Sequence, residues 1–392
     1  MRPDSTRMLR DLSELVAIPT ENPPGREAEA AAVIALMLEA AGLCVTLDSY
    51  APGRTNVEAR FENGPGPVFA FNTHIDTVPA GDGWSSDPFT LTERDSLLFG
   101  LGACDCKGPL VCMIEAIRML VAGRDSWSGT LLALFVADEE VASEGARRAV
   151  TRTPDMDFVI VGEPTSNAVV TAHKGSLRPV IRVFGRATHS GTPHLGQNAI
   201  LDAGRLVCLV EAEHANRVRK QHNALVGPAS LTVTRIEGGH ADNVVPGRCD
   251  LLLDRRMVPG ESEEAVKAEL ESFLNEAAAA HGIDARIVDY KPTPGAAIEI
   301  RSDHPIVTHS VEIVRRHGIT DVGPFGFPGG CDLVHLCSTG ATGIVLGPGA
   351  LSVAHQPNEF VSATELLTAS LIYRDIALTM LGLTQSPALP DR

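Results

Sequence analysis

Short apolar runs alternate along the chain with stretches of helical period. Asn56–Phe61, Val68–Asn72, Thr130–Ala137, Phe158–Val161 and Gly343–Leu346 are apolar runs of strand length, bounded by polar or glycine-bearing segments. Such runs predict strands buried on both faces. Helices are predicted over 4–17, 26–41, Pro109–Val121 and Ser143–Thr151; the second is alanine-rich and stops at Gly42. Pro19, Asn22, Pro23, Pro24 and Gly25 form a loop that no helix can continue through. Buried strands interleaved with helices predict an α/β fold, a mixed and mostly parallel sheet sandwiched by helices.

The period changes near residue 175. Residues 178–184 and 231–236 alternate apolar and polar, and 248–257 do so more loosely. Alternation predicts an antiparallel sheet with one wet face, and helical segments at 198–214 and 262–280 could cover the other. The expected organisation is one domain in two parts, 1–175 and 291–392, with an α+β insert at 176–290. The last part returns to helix, buried strand and a final amphipathic helix at about 363–381.

The chain has 392 residues, 44% of them hydrophobic and 21% charged, enough for two or three domains with substantial cores. Lys+Arg 33 against Asp+Glu 49 gives a net charge of −16. So acidic a surface argues against nucleic acid and anionic membrane as partners. No run of 18 apolar residues appears, and charges at Arg2, Asp4, Arg7, Arg10, Asp11 and Glu14 break any signal-peptide core. The eight cysteines lack the spacing of a disulfide framework, so reduced thiols and a cytoplasmic location are expected.

Candidate chemistry collects at strand ends. His74 and Asp76 follow the run ending at Asn72; at i, i+2 on an extended segment they face the same way. One could hold a metal while the other orients it, although His-x-Asp is also an ordinary loop. Asp105 stands in a glycine-rich segment before a helix, placed equally well to cap that helix. Asp138, Glu139 and Glu140 follow another buried strand; they would repel one another there without a cation, or sit solvated at a helix N-terminus. Glu163 follows Phe158–Gly162, and His355 lies in the loop after Gly343–Leu346. Their repetition at separate strand ends carries the argument. Two histidines with several carboxylates suit zinc, cobalt or manganese.

Taken together, these segments resemble the M20 metallopeptidases, which include acetylornithine deacetylase, succinyl-diaminopimelate desuccinylase, aminoacylase and glutamate carboxypeptidase. The matching pieces are His74-Ile-Asp76, Gly-x-x-Asp105-x-Lys-Gly, Glu139-Glu140, Gly-Glu163-Pro and Ala-His355-Gln-Pro-Asn-Glu359. Thr188-His189-Ser-Gly, Asn243-Val-Val-Pro246, Arg256-Met-Val-Pro259 and Gly329-Gly-Cys-Asp332 add to them, in family order over nearly the whole chain. The resemblance implies a zinc-peptidase-like catalytic domain with an inserted lid and dimerisation domain. It implies two divalent ions, zinc first, with cobalt or manganese as alternatives. Asp105 should bridge them; His74 and Glu163 should complete one site, Glu140 and His355 the other. Asp76 should hold His74, and Glu139 should be the general base. His189 should reach the partner subunit's active site in a homodimer and polarise the scissile carbonyl, with His194 a competing choice. Arg256 and Asn243 should grip the substrate's carboxylate side, though Arg256 could equally pair with its neighbours. Cys106 departs from the family pattern. Neither it nor Cys104 is expected as a ligand, but both could confer sensitivity to oxidation or heavy metals.

The implied reaction is hydrolysis of the amide of a small N-acyl amino acid. Dipeptidase, carboxypeptidase or N-carbamoyl hydrolase activity is the alternative within the family. A non-catalytic small-molecule-binding protein is the alternative outside it, disfavoured because every ligand and the base are present.

Overall fold

A computed structural model describes residues 2–382; residue 1 and residues 383–392 of the first and last expected segments lie outside them. The chain divides into two compact units. The first takes the described residues up to Thr171 together with 300–325 and those from Cys331 onward; the second takes Ala172–Glu299 and Gly326–Gly330.

The first unit is a mixed α/β structure around one sheet. Its strands run in the order Cys44–Ala51, Arg54–Asn63, Gly129–Val136, Val68–His74, Phe158–Val161 and Thr342–Val345, with Val170 of the strand Val170–His173 pairing next. The four from Gly129–Val136 through Thr342–Val345 are mutually parallel, and the flanking strands pair antiparallel. Every residue of Gly129–Val136 and Phe158–Val161 is buried, as expected of parallel strands covered on both faces. Register then decides where the chemistry goes. His74 lies opposite Val136, Asn72 opposite Val161, and Val161 opposite Val345. The carboxyl ends of four strands therefore finish at one edge, where α/β sheets open onto their ligand crevices.

Helices Ser5–Val16, Glu27–Ala40, Lys107–Ala122 and Ala363–Gly382 supply much of the surrounding core. Lys107–Ala122 is almost wholly buried. Its one inward acid, Glu115, is satisfied by Arg7 at 2.7 and 2.8 Å, and Arg118 reaches Asp11 at 2.7 Å. These pairs tie the N-terminal helix to the core.

The second unit is an antiparallel sheet in the order Ser230–Gly238, Arg248–Met257, Gly175–Phe184 and Asp284–Lys291. Helices Ala199–Asn216 and Glu263–His281 contribute to its core. Their starts are capped: Asn198 accepts from the amides of Ile200 and Leu201, and Ser262 from that of Ala265. Among the described residues, no helix is long and apolar enough to cross a membrane, and all eight cysteines are free thiols.

Phe71 lies in the middle of the histidine strand, fully buried between the rings of Phe69 and Tyr373, at centroid distances of 5.2 and 5.9 Å. Phe71→Ala is expected to destabilise the first unit by about 3–5 kcal/mol. Both tryptophans of the chain, Trp84 and Trp127, lie in this unit. Their fluorescence during urea unfolding should show the midpoint fall, and an unchanged midpoint would contradict this account of the core.

Candidate metal centre

His74 ends its strand fully buried. Its Nδ1 is 2.8 Å from the main-chain oxygen of Asp76 and 3.6 Å from that residue's carboxylate, leaving Nε2 to face inward, 3.1 Å from Oδ1 of Asp105. On the other side of Asp105, Oδ2 lies 3.3 Å from Nε2 of His355, which is also 3.1 Å from Glu140. Asp105 thus stands between two histidines and offers one oxygen to each. Burial opposes charge on Asp105, but hydrogen bonds from His355 and His74 hold its carboxyl well below the usual carboxylate range. Hydrogen bonds to Asp105 and Glu140 push His355 up to about 11.

Two donor groups share Asp105. One comprises His74, Asp105, Cys106 and Glu163; the other comprises Asp105, Glu140 and His355; within each, the ligand atoms all lie within 4.8 Å of one another. Asp105 does not cap the helix, which begins at Lys107 with Cys106 in the cap position and no side-chain cap. Nor are the three consecutive acids a solvated helix start. That helix begins at Glu144, and Asp138 and Glu139 are only 7% exposed. Burial pushes the carboxyls of Glu139, Glu140 and Glu163 upward, and acidic neighbours push each further, against the opposing charge of the histidines. Buried carboxylates crowded in this way are costly unless a cation joins them. Imidazole and carboxylate donors, in two clusters about one shared acid, fit a pair of divalent ions.

The supporting contacts explain how separate segments converge. The Asp76 carboxylate accepts from Asn22 Nδ2 at 2.8 Å and from the amides of Glu139 and Glu140 at 3.2 Å each. Asn22 also donates to Asp138 at 2.9 Å, and Arg54 donates to the Asn22 carbonyl at 2.7 Å. Arg54 pairs in turn with Glu27 and Asp138. On the opposite side, Glu359 accepts from the amides of Gly102, Cys104 and Asp105 at 3.2, 2.7 and 3.0 Å, clamping the loop that presents Asp105. Asp332 is buried nearby, its carboxyl raised to about 6 by burial.

The sequence assigns no role to Asn22, Glu359 or Asp332. Asn22 stands in a Pro-rich loop legible only as a turn. Glu359 and Asp332 fall inside quoted motifs, which is the signal that could have found them. Cys106, expected not to be a ligand, places its sulfur inside the first donor group.

The other expected residues lie in the second unit. His189 is exposed on the short strand Thr188–His189, paired with Val244–Val245; its Nδ1 accepts from the Gly191 amide at 3.0 Å. Asn243 adjoins it, its main-chain oxygen accepting from Ser190 at 2.9 Å. Arg256 makes the local ion pair open to it from the sequence, with Asp254 at 2.7 Å.

Residues 70–379 match the sequence model of Peptidase family M20/M25/M40, and the chain belongs to this family. It is a metal-dependent hydrolase of amide bonds. Among similar proteins, acetylornithine deacetylase of Vibrio campbellii (strain ATCC BAA-1116) is 34% identical over 334 residues, covering 82% of this chain and 83% of that one. Acetylornithine deacetylase of Photorhabdus laumondii subsp. laumondii is 35% identical over 320 residues, covering 79% and 78%. Of solved structures, aminopeptidase PepT from Bacillus cereus ATCC 10987 superposes with a TM-score of 0.78 at 20% identity, covering 96% and 99% of the two chains. The YXEP protein of Bacillus subtilis, a dinuclear metal-binding peptidase of the M20 family, gives 0.74 at 19%, covering 96% and 98%. At such identities the structural likeness speaks to the fold alone.

Because Asn22 holds both Asp76 and Asp138, Asn22→Ala is expected to loosen divalent-metal binding about 10–100-fold, the usual cost of losing an orienting partner. Chelator competition would measure it; an unchanged affinity would remove Asn22 from the support of the site.

Proposed function

We propose that the protein is a cytoplasmic homodimer that hydrolyses the amide of a small N-acyl amino acid, using two divalent ions, zinc in preference to cobalt or manganese. The observation that carries the reading is Asp105, one carboxylate with an oxygen turned to each of two histidines. The acyl-amino-acid substrate class is supported by the acetylornithine deacetylases at 34–35% identity.

In this reading His74, Asp105 and Glu163 hold one ion, and Asp105, Glu140 and His355 the other. When bound, such a pair polarises the amide carbonyl and lowers the pKa of a water from 15.7 towards about 7. Glu139 is the acid left outside both donor groups. It takes the proton as water attacks the carbonyl carbon, then delivers it to the nitrogen as the C–N bond breaks, giving a carboxylate and a free amine. Asp76 is a positioning residue: it meets the His74 ring and fixes the two amides that carry Glu139 and Glu140. His189, from the partner copy, supplies a donor to the developing oxyanion, a contribution of about 10²–10³ in kcat. Arg256 and Asn243 bind the substrate's carboxylate side, Arg256 by its bidentate fork.

Dimerisation is supported by the second unit's own surface. Ser230–Gly238 is an edge strand with Ile236 52% exposed, and Leu201 on a helix of the same unit is 61% exposed. Open strand edges and apolar surface are what a second copy covers.

Glu139→Gln should lower kcat by about 10²–10⁴-fold with metal content unchanged; near-normal turnover would rule Glu139 out as the base. In a hydrolysis screen of N-acetyl, N-succinyl and N-carbamoyl amino acids and dipeptides, with zinc, cobalt or manganese, N-acyl amino acids should lead. Turnover of dipeptides alone, or of nothing offered, would overturn the substrate assignment.

A further inference from the structure

The two donor groups differ in kind. Cys106 is fully buried immediately after the shared aspartate, its Sγ 2.9 Å from Asp105 Oδ1 and 3.4 Å from Glu163 Oε2. His74 Nε2 lies 3.1 Å from the same Asp105 oxygen. The Cys106 sulfur is embedded among two carboxylates and an imidazole. Buried Cys104 and Cys112 instead turn their sulfurs to single main-chain oxygens, of Ala350 and Leu366.

We infer that Cys106 is a fourth ligand of the first ion, so that the centre is built from one closed, sulfur-bearing site and one open site of nitrogen and oxygen. The inference rests on the two-ion reading above. His74, Asp105, Cys106 and Glu163 supply four protein donors, the number that closes a tetrahedral zinc site. Asp105, Glu140 and His355 supply three, which leaves a position for water or substrate, as catalytic zinc sites do. Ligation forms the sulfur–metal bond and sends the S–H proton to solvent, since metal ligands bind deprotonated. Thiolate selects soft and borderline ions such as zinc, whereas carboxylate and imidazole alone accept manganese readily. The first site should therefore fill first and hold zinc against manganese, while the second exchanges. Cys104 provides the internal contrast. It is also buried, but its Sγ turns to the main-chain oxygen of Ala350 at 3.6 Å and belongs to neither group.

Metal-free full-length protein titrated with Co²⁺ reads this directly, because a thiolate on cobalt gives an intense near-ultraviolet charge-transfer band that nitrogen and oxygen ligands lack. The band is expected to develop with the first equivalent, to persist in Cys104→Ser, and to vanish in Cys106→Ser. Zinc affinity at the tight site of Cys106→Ser, measured by chelator competition, should fall at least about 10–100-fold, as much as losing a merely orienting partner. Retained far-ultraviolet dichroism would show that the variants are folded. Two equivalents of cobalt bound without the band would overturn the sulfur ligand and leave the hydrolase reading intact. Failure to bind cobalt at all would overturn both.

Discussion

One buried carboxylate, Asp76, brings the centre into register. It is fully shielded from solvent and makes contacts to three separate stretches of chain. Its backbone oxygen meets the ring of the strand-ending histidine, its side chain receives the amides of Glu139 and Glu140 from the neighbouring strand's turn, and Asn22 reaches it from the N-terminal loop. Burial opposes its charge, but the His74 imidazole, with Asn22 and the Glu139 amide, keeps its carboxyl low. Losing the Asp76 carboxylate would release Asn22 and the amides of Glu139 and Glu140 together.

The parallel sheet does the coarse positioning. Strands Val68–His74, Gly129–Val136, Phe158–Val161 and Thr342–Val345 are held in register by backbone hydrogen bonds, so whatever follows their last residues is gathered at one edge. The turn residues then do the fine positioning, in backbone conformations that side-chain-bearing residues seldom adopt. Asp138 has φ of 73° and His355 has φ of 59°. Such conformations persist where the surroundings over-determine them, and they concentrate at functional sites. At Asp138 the surroundings are Asn22 and Arg54; the loop bearing His355 is anchored at Glu359.

That division explains what could be read from sequence. The central strands are legible because burial on both faces leaves unbroken apolar runs, and the acids and histidines at their ends mark the candidate site. The strands Cys44–Ala51 and Asp284–Lys291 are not legible. Both lie at sheet edges with most residues partly or fully exposed, so neither shows an apolar run or a clean alternation. Within the site, His74, Asp105, Glu140, Glu163 and His355 are legible by residue type at strand ends and by motif. Asn22, Glu359 and Asp332 act through hydrogen bonds spanning more than fifty residues of sequence or through burial, and no local pattern records that. Cys106 is a subtler case. Its position is plain in the sequence, but only the direction of its sulfur distinguishes a ligand from a packed thiol.

Charge balance links these levels. The chain is strongly acidic, yet the cations near its core are occupied: half-buried Arg54 is shared among Glu27, Asp138 and Asn22, and buried Arg255 is paired with Glu261. Lys107, beside the Asp105 loop, donates to the main-chain oxygen of Ile18 at 2.9 Å rather than to a ligand carboxylate. Arg54, Arg255 and Lys107 thus hold the scaffold around the site, and the crowded acids inside it fit neutralisation by metal ions. A fixed side-chain cation there would fill the centre, whereas metal ions leave a position for water and a carbonyl. The same crowding of acids that makes the pocket unfavourable by itself is what makes it selective for multiply charged metal.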